Sequence, residues 1–434
     1  MLDSNDSLVA LADTITWDIF DESFAKYYSD DGRPAKPIRL MVGLLLLKQL
    51  ENLSDENIVL QWKRNPYYQY FCGMTEYQPA LPCDPTDLVY FRKRISTEGV
   101  EKIFSMSVSL HGKDAEEKQV IIDTTVQEKN VTYPTDGKLA IKMIHHLHKI
   151  AKEEGIQLRR TYVKEIKGHR ISLRFFRHPK KIKKARAAMK RLGTIVGILI
   201  RDISRNLNEA QLAKHKEAFE LFKKVINQKR KDSNKVYSLH ESHIYAIAKG
   251  KDHKKYEYGT KASLVTTMKS NIIIGVAAHE KNEHDSKTLE AALASANKHR
   301  TKPIVEAICD RGYRGKKEVD GTVICIPDKP LKRDTKYQKE QKRKKFRRRA
   351  AIEPIIGRVK SDHRMQRNYL KGFIGDEINL LLAAAAFNLK KWMNNFLAVL
   401  FLYRIILLCV VLYKIEAKER QKYADLYLLW FRVW

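Results

Sequence analysis

The chain is poor in acid. Against 82 Lys and Arg it sets only 51 Asp and Glu, a formal net charge of +31 over 434 residues. An excess of this size points to nucleic acid or an anionic membrane surface as partner and says little about fold. Cysteine is scarce as well: Cys72, Cys83, Cys309, Cys325 and Cys409 are the full complement. The number is odd and no two have C-x-x-C spacing. That argues against a disulfide framework and against a thiolate zinc site, and fits a reducing cytosol. The start, Met1-Leu2-Asp3-Ser4-Asn5-Asp6, lacks an apolar core, so no secretory signal is expected. No internal repeat is evident. What is present, 44% hydrophobic and 31% charged residues, describes a folded soluble protein with room for two or three domains.

One long apolar run stands apart. Phe396 to Tyr413 reads FLAVLFLYRIILLCVVLY and is broken only by Arg404. Its length is at the lower limit for a membrane span. A central Arg costs a few kcal/mol in lipid. A buried helix, or a tail packed on the domain or on a partner subunit, is therefore expected, and no membrane partner.

Residues 14 to about 110 read as helices. Ile38 to Leu50 is almost wholly apolar, Ser54-Asp55-Glu56 caps a second helix through Trp62, and Asp84-Pro85 starts a third over Leu88 to Ile95. The third carries Arg92, Lys93 and Arg94, which suits a helix-turn-helix-like DNA contact; an all-helical packing domain with a solvated basic face fits equally well. Residues 118 to 133 have strand composition, and Asp136 to about Arg230 reverts to helix as an amphipathic hairpin. Its basic run holds Lys180, Lys181, Lys183 and Lys184. Such a run is usually a solvated face, but on a chain of this charge it is also expected to lie on DNA phosphates. Strands are expected at Lys235–Leu239, Tyr256–Thr267, Asn271–Ala278, Pro303–Cys309 and Val323–Pro327. A helix is expected at Ser286–Lys298, a basic loop at Lys329–Arg349, and a last helix after it. The order describes a mixed α/β core interrupted by an all-helical insertion.

Three acids sit where acids are uncommon. Asp123 ends Val120-Ile121-Ile122, Asp310 ends Ile304 to Cys309, and Glu353 follows the most basic stretch of the chain. A carboxylate at the end of a buried strand is costly to desolvate unless it is paired or holds a cation. Phe346, Arg349, Glu353, Gly357 and Lys360 step by three or four residues and so share one helical face. Arg349 and Lys360 beside the Glu can hold phosphates that the Glu would repel. Hard oxygen donors suit Mg²⁺ or Mn²⁺. Two such ions can activate a water or a 3′-hydroxyl and stabilise the leaving oxygen in an in-line phosphoryl displacement. Taken singly, each acid has an ordinary alternative. Asp123 can be a hydrogen-bonded residue among threonines, Asp310 the start of a turn with Gly312 at positive φ, and Glu353 half of a surface ion pair.

The motifs as an ordered set resemble bacterial insertion-sequence transposases of the DDE type, in the group named after insertion sequence five. The resemblance runs from about Trp17 to Trp392. It rests on Asn52-Leu53-Ser54-Asp55-Glu56, Leu81 to Leu88, Ile122-Asp123-Thr124-Thr125, Tyr133-Pro134-Thr135-Asp136, Tyr256 to Lys261, Asn282-Glu283-His284-Asp285 and Asp310-Arg311-Gly312-Tyr313. The family's third motif, Tyr, Arg, Glu and Lys at fixed spacing, is met by Arg349, Glu353 and Lys360, with Phe346 in the Tyr position. The resemblance implies an RNase H-like core, with Asp123, Asp310 and Glu353 as ligands of a pair of divalent ions. It implies a homodimer on double-stranded DNA, nicking at the transposon ends, and transfer of the freed 3′-hydroxyl to target DNA, in the cytoplasm at the nucleoid. Arg349 and Lys360 would assist on DNA, while His284 and Asp285 read as a turn and helix cap. The expected organisation is an N-terminal DNA-binding and dimerisation domain over 1–115 and a catalytic core over 116–395. The insertion takes about 137–232 of that core, and a hydrophobic tail fills 396–434, departing from the family core. A nuclease that cuts without strand transfer and an inactive DNA-binding repressor remain as alternatives.

Overall fold

The computed structural model describes residues 2–28, 35–229, 231–248, 255–327, 331 and 333–432, with side chains to Cys409 and at Tyr413. Parts of four expected elements therefore lie outside the described residues: 29–34 of the N-terminal helical stretch, 230 of the insertion, 329, 330 and 332 of the basic loop, and 433–434 of the tail.

Among the described residues six α-helices come first: α1 (Ser7–Thr14), α2 (Asp18–Phe24), α3 (Ile38–Leu50), α4 (Asp55–Arg64), α5 (Pro66–Phe71) and α6 (Pro85–Ser109). α3 is buried along nearly all its length, as its unbroken apolar sequence requires. The Ser54 side chain accepts from the Asn57 amide and starts α4. At Asp84 and Asp87 a reciprocal capping box starts α6. That helix runs well past the expected end at Ile95, kinking at Ser96, where φ is 57°.

Among the described residues the sheet has seven strands: β1 (Gln119–Glu128), β2 (Tyr245–Ala248), β3 (Tyr256–Thr267), β4 (Ile273–His279), β5 (Glu306–Ile308), β6 (Glu318–Val319) and β7 (Thr322–Cys325). Their order is β2-β3-β1-β5-β7-β6, with β4 also paired to β3. β1 is antiparallel to β3 and parallel to β5. Between β1 and β2 lie α7 (Asp136–Glu153), α8 (Val163–Leu173), α9 (Ile182–Asn206) and α10 (Glu209–Asn227). After β4 comes α11 (Asp285–Lys298), and after β7 come α12 (Lys336–Arg349), α13 (Ile352–Asp362) and α14 (Gly372–Arg432). The core is thus a mixed sheet of RNase H type, interrupted by helices.

Two hydrophobic cores result. One joins the N-terminal helices to the sheet, α11 and the first half of α14. The other belongs to the insertion and includes Ile144, Leu147, Ile195, Leu199, Ile203 and Phe222. α11 lies so close to β4 that a Cβ on Gly275 would meet the Ala296 backbone at 2.6 Å. That position has room only for glycine.

Several expectations are corrected. Lys235–Leu239 is not a strand, because the Gln228 side chain takes both backbone groups of Val236, which is buried on the insertion core. The strand comes later, at β2. The insertion is four helices rather than a hairpin. The basic stretch before Glu353 is mostly helix: Thr335 and Gln338 form a capping box, and the Lys, Arg and Gln residues that follow are good helix formers. Among its described side chains, the apolar tail is not buried in the single chain. α14 packs through Ile378 to Met393, then leaves the body with Val399, Phe401, Leu402, Tyr403 and Ile406 exposed. By length and composition, Gly372–Cys409 is the described helix that qualifies to cross a membrane.

Candidate active site

The sheet brings two acids together from distant parts of the chain. In the parallel ladder Ile121 pairs with Ile308, so Asp123 and Asp310 each stand two residues beyond a paired position on adjacent strands. Asp123 and Thr124 are the half-exposed break in an otherwise buried run along β1. The Asp123 Oδ1 accepts from the Thr124 amide at 2.8 Å. Asp310 caps a 3₁₀ turn over Arg311–Tyr313, its Oδ1 accepting from the Gly312 amide at 2.7 Å. Gly312 is not among the positive-φ residues, against expectation. Its need for glycine is spatial: a Cβ there would lie 2.9 Å from Asp310 Oδ1 and 3.0 Å from Asp285 Oδ2.

Glu353 enters from α13, in its first turn, with an exposed carboxylate. The expected single helical face is realised across a joint. Ala350 and Ala351 keep right-handed helical backbone but close through i to i−3 hydrogen bonds, so α12 and α13 meet in a tightened turn. Arg349 therefore still reaches Glu353, with Nη2 3.5 Å from Oε1, and its Nη1 lies 4.0 Å from Asp123 Oδ2. α12 is anchored by Arg348, which donates to the Met268 and Lys269 carbonyls and to Asn271 Oδ1 at 2.7 to 2.9 Å. The basic run had hidden this role, because nothing in the sequence singles out one arginine among three. Gly357 faces open space, and Lys360 lies half-buried further along α13.

Asp285 stands beside both acids, at the turn and helix cap expected from His284 and Asp285. His284 caps α11, leaving Asp285 as its first residue. The Asp285 Oδ1 accepts from Thr124 Oγ1 at 3.0 Å and from Lys261 Nζ at 2.9 Å. Beneath the acids, Tyr313 is fully buried and Cys309 is buried with it. Burial pushes both groups up, with Asp123 and Asp310 or Asp285 adding to the effect. They stay protonated and uncharged under the carboxylates.

The donor set is of the right kind for a hard divalent cation. A positive group already stands in the cluster, since the Arg349 guanidinium lies between Asp123 and Glu353. Among the described residues, no three His, Cys, Asp or Glu side chains converge closely enough to hold one ion. Arg349 lies within 4.0 Å of two of the three carboxylates.

The basic candidates divide. Arg92 is corrected: it is buried, and both its terminal nitrogens are bound to the Asp55 carboxylate at 2.8 and 2.6 Å, so it cannot face DNA. Lys93 and Arg94 remain exposed, Arg94 lying over the Tyr28 ring. Lys180, Lys181, Lys183 and Lys184 are exposed where α9 begins, with Lys181 over Phe175.

Comparison with known proteins agrees with this architecture. Residues 1–94 match the family described as Transposase domain (DUF772), and residues 228–389 match Transposase DDE domain. The second match holds Asp310 and Glu353 and begins after Asp123 and after α10, the last helix of the insertion. A Rhizobium meliloti protein named "Uncharacterized protein ORF8 in nfe locus" is 38% identical over 183 residues, covering 41% of this chain and 88% of that protein. No solved structure matches. With two transposase domains in sequence order and an acidic cluster built on the sheet, the chain belongs to the DDE transposases.

Proposed function

We propose that this transposase binds the ends of an insertion sequence, nicks DNA there and joins the freed 3′-hydroxyl to target DNA. Asp123, Asp310 and Glu353 would hold Mg²⁺ or Mn²⁺, as two ions. The observation that carries this reading is the Arg349 guanidinium lodged between Asp123 and Glu353, beside the register-matched Asp310. Carboxylates gathered on neighbouring strand ends repel one another and need a cation.

Bound divalent ions would supply activation of the attacking oxygen and charge neutralisation on the leaving one. The chain's own groups do the rest. β1 and β5 fix two carboxylates on a rigid sheet, and α13 brings the third on a separate helix. Arg349, displaced from the acids, is placed to hold a phosphate beside them, and Lys360 to hold one further along α13. Lys93 and Arg94 on the N-terminal helices, over 1–115, and Lys180, Lys181, Lys183 and Lys184 on the insertion, over about 137–232, would hold the flanking duplex by its phosphates. The exposed apolar stretch of α14, within 396–434, supports a second copy as partner, hence a homodimer. The work belongs in the cytoplasm, at the nucleoid.

The test is cleavage of a labelled transposon end with Mg²⁺ by the wild type and by Asp123→Ala, Asp310→Ala and Glu353→Ala. Each variant should lose cleavage while still binding the end. If all three cut like the wild type, the acids are misassigned.

A further inference from the structure

Asp285 is a carboxylate this scheme leaves unused, and it touches both strand-borne acids' segments at once. Its Oδ1 receives the hydroxyl of Thr124, the residue after Asp123, at 3.0 Å. Its Oδ2 lies against the turn that carries Asp310, where a Cβ on Gly312 would stand 3.0 Å from it and 2.9 Å from Asp310 Oδ1. The glycine backbone is thus held between two carboxylates. The opposing charge comes from Lys261 on β3. Its ammonium donates to Asp285 Oδ1 at 2.9 Å and to the Glu283 carbonyl, and its side chain is only 11% exposed. A further negative group beside Asp123 and Asp310 would raise their mutual repulsion. Lys261 removes that cost while leaving the hydrogen-bond geometry of Asp285 in place.

We propose that Asp285, neutralised by Lys261, is a positioning residue that sets the separation and orientation of Asp123 and Asp310 for cation binding. It rests on the reading of those two acids as cation ligands. A purely local role is the alternative, since an acid in a first helical turn is favoured by the helix dipole alone. That role predicts a loss of stability and nothing else.

The full chain carrying Asp285→Ala, Asp285→Asn or Lys261→Met is compared with wild type and with Asp123→Ala. Mn²⁺ binding is measured by calorimetry without DNA, cleavage as a function of Mg²⁺, and folding by thermal unfolding. Outer-shell partners of metal ligands typically contribute roughly 10- to 100-fold to affinity or activity. Asp285→Ala and Lys261→Met should therefore weaken Mn²⁺ binding and cleavage by a factor in that range. Asp285→Asn keeps an oxygen for the Thr124 hydroxyl and should recover most of both. Unchanged Mn²⁺ binding in Asp285→Ala, or in Lys261→Met if the first variant does not fold, overturns the proposal. So does an Asn variant as impaired as Ala, which would make Asp285 a direct ligand. If Asp123→Ala binds Mn²⁺ and cuts normally, the reading of the site fails instead.

Discussion

Arg349 Nη1 stands 4.0 Å from Asp123 Oδ2, although the two residues reach the site from a helix end and from the middle of a strand. The same guanidinium reaches Glu353 at 3.5 Å. It therefore competes with any cation for those carboxylates. Arg349→Gln should tighten Mn²⁺ binding in the absence of DNA and at the same time lower cleavage, because the charge that holds a phosphate beside the acids is removed. Arg349→Lys should not restore cleavage in full, since a point charge cannot hold a phosphate through two parallel bonds as the planar fork does. Calorimetry and end cleavage on the same preparations check both signs. Weaker ion binding in Arg349→Gln would show that the arginine organises the acids instead of competing for them.

Gly312 tests the fit of the turn. Its backbone conformation is one that other residues adopt, so the strain of Gly312→Ala comes from the two oxygens, 2.9 and 3.0 Å from the new methyl. One of the carboxylates must move. The new methyl meets only side-chain atoms and no backbone, so turning a carboxylate relieves most of the strain. Cleavage should fall sharply with an unfolding midpoint close to wild type, and cleavage at the wild-type rate would mean that the turn relaxes freely.

A third prediction concerns Asp55, which holds two cations in the N-terminal helices, Arg92 at 2.6 Å and Lys48 at 2.8 Å. Burial opposes its charge, yet the bonds from Arg92 and Lys48 win and hold its carboxyl down at about 2. Burial pushes Lys48 down to about 8. Asp55→Ala leaves both cations buried without it, and breaking such a group costs about 3–5 kcal/mol. A depressed carboxyl stabilises the fold above its ordinary value near 3.8 and loses that contribution as pH falls toward 2. Urea titrations from pH 5 down to pH 2 should show wild-type stability falling through this window, with the Asp55→Ala protein low throughout and falling less.

Sequence patterning made part of this legible. α3, the caps at Ser54 and Asp84, and β1, β3, β4 and α11 follow from periodicity and turn chemistry that act locally. Misread elements were decided by distant partners. Val236 lost its strand to one glutamine side chain. Arg92 has the same charge as Lys93 and Arg94, and only the fold shows that Asp55 lies opposite it. The turn and helix cap read at His284 and Asp285 are there, with His284 capping α11, but the pattern says nothing of the other contacts of Asp285. The link from Asp285 through Thr124 to Asp123 spans residues far apart in sequence, which no local pattern encodes.

The last prediction separates DNA binding from chemistry. α9 has no acid in its first turn, and Lys183 and Lys184 sit there with exposed side chains. Cations at the positive end of a helix dipole are unfavourable, so these lysines cost stability in the free protein. Phosphates would reverse the sign. Lys183→Gln with Lys184→Gln should therefore stabilise the free protein by about 0.3–1 kcal/mol per charge. DNA binding should weaken together with its salt dependence, the slope against log salt falling by about 0.9 for each phosphate that is no longer neutralised. Cleavage at saturating DNA should not change, because neither lysine lies among the acids. Salt-dependent gel shifts and thermal unfolding of the double variant check the two opposite signs, and an unaltered salt slope would remove the insertion from the DNA interface.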